Sequence, residues 1–143
     1  MSASFPEPEW FRALGRLMEA EGERFRRIGY AETRFVINVL PDEGGPARAV
    51  GLVFDGYRLA DAIALDDPWA FEPDFIVNAK RSVWEKMLRE IAAEGHPQLR
   101  STLNSLALMG EQVWLESSDQ LREDKFYRYN QTIQEFFNLA QRL

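Results

Sequence analysis

Apolar side chains in this chain recur first at a helical interval, then at every second position, then at a helical interval again. Within PEPEWFRALGRLMEAEGERFRRIG, Phe11, Leu14, Met18, Phe25 and Ile28 share one face, while Arg12, Arg16, Glu19, Glu23 and Arg27 share the other. That period predicts one long amphipathic helix. The prolines and acids ahead of it suit a first helical turn, and Gly29 is the natural stop. From Thr33 the period drops to two: Phe35, Ile37 and Val39 alternate with Arg34, Val36 and Asn38, the pattern of a strand. PDEGGP is a turn and Ala47–Phe54 a second β-rich run. Asp55-Gly56 is the expected centre of a type I′ hairpin, in which both central residues take positive φ. Tyr57–Leu65 alternates again, so three consecutive antiparallel strands are predicted.

DDPWAFEP reads as a loop and DFIVNA as a short fourth strand. Ser82-Val83-Trp84-Glu85 has the form of a capping box, in which Ser82 and Glu85 satisfy the first backbone N–H groups of a helix. The helix behind it, over 82–94, places Val83, Trp84, Met87, Leu88 and Ile91 on its apolar face, and Gly95 ends it. Pro97 opens a second helix over 97–108, with Leu99, Leu103, Leu106 and Ala107 on one face and Gly110 closing it. A fifth strand, Gln112–Glu116, alternates Val113 and Leu115 with Gln112, Trp114 and Glu116. The last helix begins at Asp119 or after Asp124 and carries Phe126, Tyr129, Ile133, Phe136, Phe137 and Ala140 as a wide apolar stripe.

Composition narrows what such a chain can do. Its 143 residues are most simply one domain, 1–143, able to bury about two-thirds of its unfolded surface. A net charge of −6 argues against nucleic acid as a partner, because phosphates need a basic face, and leaves at most transient contact with an anionic membrane. There is no cysteine, which removes disulfides, thiolate metal sites and cysteine nucleophiles together. No basic start leads into an apolar core, and no apolar run is long enough to span a bilayer, so a soluble cytoplasmic location is expected.

Candidate chemistry is thin. His96 is the only histidine and sits in Gly-His-Pro at a helix joint, where capping or surface exposure is expected rather than proton transfer. Asp61, Asp66 and Asp67 have the oxygen donors a hard cation prefers, but beside Pro68 they read as a solvated loop. Arg24, Arg26 and Arg27 read as a solvated face at a helix end. None of the common phosphate, dinucleotide, zinc or serine-hydrolase signatures occurs, so no catalytic residue, metal or cofactor is expected. Apolar helix surface, by contrast, is plentiful: Trp84, Met87, Leu88, Ile91, Leu103, Leu106, Met109, Ile133, Phe136 and Phe137 all lie on the three late helices. Such residues form either an ordinary core or the lining of a pocket for a small apolar ligand.

Three segments, in order, resemble the sterol carrier protein 2 family of lipid-binding domains. EAEGERFRRIG at 19–29 is similar to that family's first-helix ending, and RFVINVLPDEGGPARAVGLVFDGYRL to its opening strands and glycine-rich turn. HPQLRSTLNSLALMGEQVWLESSD is similar to the stretch where a helix meets glycine and then a strand. The resemblance implies an α/β fold, with a five-stranded, mostly antiparallel sheet and helices packed on one face to enclose an apolar cavity. It further implies noncatalytic binding, and transfer, of a fatty acid, fatty acyl or sterol-like lipid. On this reading the ten apolar residues named above are the ligand-binding ones, and the final helix covers the cavity. A small enzyme acting on an apolar substrate in a cone-shaped α/β cavity and a protein-interaction module are the alternatives.

Overall fold

The computed structural model describes residues 3–143. Two helices, α1 (Pro8–Ala20) and α2 (Gly22–Ile28), stand where the period predicts one. The break is at Glu21, whose φ of −99° and ψ of 33° leave the helical region. Gly22 supplies part of the reason, since glycine inside a helix costs about 1 kcal/mol relative to alanine. Two ion pairs also tie this joint to the far end of the chain: Arg142 Nη1 lies 2.7 Å from Glu21 Oε1, and Arg24 pairs with Glu135. The redirected α2 buries Phe25 while leaving Arg26 and Arg27 in solvent.

Five strands follow in one sheet: β1 (Ala31–Leu40), β2 (Arg48–Gly56), β3 (Arg58–Leu65), β4 (Phe75–Lys80) and β5 (Val113–Glu116). Their spatial order is β3-β2-β1-β4-β5, with β1 and β4 parallel and the other neighbours antiparallel. The three-strand meander is as the alternation predicts. Its hairpin is not the expected type I′ centred on Asp55-Gly56. Asp55 pairs with Arg58, so Gly56 and Tyr57 are the central residues, and of the two only Gly56 has positive φ (77°). That is the pattern of a type II′ turn, which needs glycine only at its first central position. A bulge between Val53 and Phe54 then leaves Ala60 of β3 without a partner on β2.

Between β3 and β4 the chain crosses the outer face of the sheet, making a 3-10 turn at Pro68–Phe71. Asp67 starts that turn by accepting a hydrogen bond from Trp69 N at 3.0 Å. The Phe71 ring packs directly on Gly51, where a Cβ would fall 2.8 Å from it. Together with Val36, Ala49 and Ile76 it forms a small apolar patch on this face.

The five helices gather on the opposite face. Helix α3 (Arg81–Glu94) does not begin with a capping box: Lys80 precedes it without a side-chain cap, and Ser82 lies inside the first turn. Asp42, from the β1–β2 turn, takes the capping role instead, accepting from Ser82 N at 3.1 Å and from Ser82 Oγ. The expected helix over 97–108 is two pieces, a 3-10 turn at Leu99–Ser101 and α4 (Leu103–Met109) capped by Thr102. Thr102 is extended, and the change of direction leaves Leu99 85% exposed rather than on the buried face. Helix α5 (Gln120–Asn138) starts at Asp119, which accepts from Arg122 N at 2.8 Å, and a 3-10 turn at Leu139–Arg142 follows. Among the described residues no helix is long and apolar enough to cross a membrane.

Candidate functional site

The helical layer and the inner sheet face meet in a single aromatic seam. Phe35, Ile37 and Val39 point into it from β1, since a strand sends alternate residues to the same side. Phe35 stacks on Phe75 at 5.3 Å between ring centroids, and Phe75 meets Phe126 edge-on at 5.6 Å. Phe54 meets Phe136 at 5.2 Å, and Phe136 meets Phe137 at 5.9 Å. Phe137 then stacks on Trp84 at 5.7 Å, with 25° between the rings. Trp84 satisfies its one polar atom by donating from Nε1 to Asn38 O at 3.3 Å, so its indole sits fully buried with no unpaired donor.

Polar groups at the α3–α4–α5 junction are few. Gln134 on α5 accepts from Leu103 N at 2.8 Å, donates to Asn138 Oδ1 at 3.0 Å, and approaches Met87 Sδ at 4.0 Å. One amide thus joins the start of α4, the middle of α3 and the end of α5. Sequence reading did not single it out, because a lone glutamine on a helix carries no pattern.

Of the ten apolar residues expected to bind ligand, Trp84, Met87, Ile91, Leu103, Leu106, Ile133, Phe136 and Phe137 lie together in this core. Leu88 is partly buried at its margin. Met109 stands apart, 65% exposed at the C-terminus of α4. Their helical spacing brings the eight together on three different helices. With the inner face of the sheet they form one contiguous cluster of buried side chains.

Two aromatic residues outside the expected set extend the seam to the surface. Trp10 is 5.0 Å from Phe11 and 6.2 Å from Phe137. Phe5, just ahead of α1, is 5.0 Å from Trp10, 5.9 Å from Phe11 and 6.1 Å from Trp84. The contact of Phe5 with Phe11 is a variant of the hydrophobic staple, in which an apolar residue before a helix packs on its first turn. Trp10, Leu14 and Leu17 do follow a helical interval, so the period held a signal for Trp10. Beside Trp10, Glu9 is held below the usual carboxylate range, chiefly by a hydrogen bond from Arg16.

The candidate polar residues have structural surroundings. His96 Nδ1 lies 2.9 Å from Pro97 O, and no carboxylate is paired with it among the described residues. Asp61 accepts from Ala62 N, Asp67 caps the 3-10 turn, and Asp66 is exposed. No group of three or more metal-ligating side chains is assembled among the described residues.

This mixed five-stranded sheet with its helices matches sterol carrier protein 2 structures, so the chain has the sterol carrier protein 2-like fold. A crystal structure of sterol carrier protein 2 superposes with a TM-score of 0.68 and 25% identity, over 98% of this chain and 99% of that one. The solution structure of a conserved hypothetical protein from Thermus thermophilus gives a TM-score of 0.65 and 24% identity, over 99% and 90%. No family model and no curated protein matches the sequence.

Proposed function

We propose that this protein binds a lipid or similar hydrophobic small molecule, without catalysis, between the sheet and helices α3, α4 and α5. The observation that carries this reading is the near end-to-end agreement with sterol carrier protein 2. The apolar seam is consistent with it: a ligand entering there meets aromatic and aliphatic side chains and the paired amides of Gln134 and Asn138.

Because side chains occupy the interior, uptake is coupled to separation of the helices. Each methylene withdrawn from water contributes about 0.8 kcal/mol, so a fourteen-carbon chain supplies roughly 11 kcal/mol. Micromolar affinity needs about 8 kcal/mol. At most about 3 kcal/mol then remains for opening the seam and ordering the chain. Opening must therefore be local and not a general loosening of the core.

Native mass spectrometry of the gently purified protein, followed by fatty-acid titration monitored by tryptophan emission, tests the proposal. A co-purifying lipid and a saturable titration are expected. Trp84→Phe should remove most of the emission change, since an acyl chain in the seam lies beside that indole. A signal carried wholly by Trp69 or Trp114, both exposed on the outer side, places the ligand elsewhere. A stable protein complex with no bound lipid favours an interaction module.

A further inference from the structure

A groove of about 480 Å³ opens where the segment before α1 lies against α3. Phe5, Trp10, Leu88 and Ala92 give it an apolar wall, and Glu85 and Arg89 stand exposed along it, one helical turn apart. Its apolar wall is continuous with the interior. Phe5 lies between the groove and the fully buried Trp84, and Trp10 between the groove and Phe137.

We infer that this groove is the entrance and head-group site for a single-chain fatty acid, with Phe5 as its gate and Arg89 as its carboxylate partner. The inference rests on the lipid-binding reading above. Phe5 is only partly buried and is held by ring contacts to Trp10, Phe11 and Trp84, so its displacement opens a path along the Trp84–Phe137 stack. Arg89 is the one arginine lining this groove, and among the described residues it has no ion pair or hydrogen bond, a state it shares with Arg26, Arg48, Arg81, Arg100 and Arg128. A guanidinium offers two parallel donors matched to one carboxylate. Glu85, one turn away, disfavours a doubly charged phosphate head more than a singly charged carboxylate.

The test compares a sixteen-carbon fatty acid with its methyl ester on the full chain, using wild type, Arg89→Glu, Arg89→Gln and Phe5→Ala. Arg89→Glu should weaken the acid about tenfold or more while leaving the ester within about twofold, tenfold being 1.4 kcal/mol. Arg89→Gln should show the same selectivity with a smaller loss. Phe5→Ala should speed uptake of both ligands in stopped-flow mixing. If wild type binds both ligands and the Arg89 variants lose neither, or lose both equally, the groove assignment is overturned while lipid binding stands. Slower or unchanged uptake by Phe5→Ala overturns the gate. If wild type binds neither ligand, the lipid-binding reading fails, and this inference with it.

Discussion

At Gly51 the absence of a side chain is a packing requirement. A Cβ there would lie 2.8 Å from two atoms of the Phe71 ring, a separation that real contacts do not show. Phe71 cannot simply lift away, because its carbonyl accepts from Arg34 Nε and Nη2, at 3.2 and 2.8 Å, and the guanidinium lies 4.3 Å above the ring centre. Gly51→Ala should therefore cost about 1–3 kcal/mol, the usual range for overpacking a tight site. A lowered urea midpoint with an unchanged slope is the expected reading. Fatty-acid affinity should stay unchanged, because Phe71 is on the face opposite the seam. A Gly51→Ala protein as stable as the parent means the crossover turn is not held where it is described.

At the scale of elements, Asp42 and α5 carry the sharpest expectations. Asp42→Ala leaves Ser82 N at the start of α3 without its acceptor, and such a lost cap costs about 1 kcal/mol. Ser82→Ala leaves the backbone bond in place and should cost less; the reverse ranking in thermal melts restores the capping box as the cause. Helix α5 seals the seam with Phe126, Ile133, Phe136 and Phe137, all fully buried. Removing residues 126–143 should expose the inner faces of the sheet and α1, promote association through that apolar surface, and abolish fatty-acid uptake. A truncated chain that elutes as a monomer and still binds fatty acid means α5 does not cover the site. These elements also show what a sequence can carry. The strands were legible because period two is local, and the burial of Trp84, Phe136 and Phe137 because period 3.6 is. The cap on α3 was not, since Asp42 is forty residues from Ser82. The break at Glu21, where Arg142 pairs with it, and the exposure of Leu99 beside an extended Thr102 leave no periodic trace. Phe5 and Arg89 were equally silent: one precedes its helix, and the other is an ordinary exposed arginine until the groove is seen.

For the molecule as a whole, the packing of the buried side chains against one another sets the kinetics of any ligand that comes between them. With at most about 3 kcal/mol available for opening, the open form is held to a population on the order of 1% or more of the closed one. Motions of packed helices and lids fall in the microsecond to second range. Uptake should then proceed by opening first and binding second, and the observed rate should level off as fatty-acid concentration rises. Stopped-flow tryptophan emission measures this directly, and the plateau is the opening rate. Variants that loosen the entrance groove raise the plateau, as Phe5→Ala should. Variants that weaken only the head-group contact leave it in place and speed release, as Arg89→Gln should. Binding should also carry a negative heat-capacity change, because apolar chain leaves water. A rate that climbs linearly to the highest usable concentration, with no dependence on Phe5, means the ligand meets a site that is already open, and the seam between the sheet and α3–α5 is then only the core.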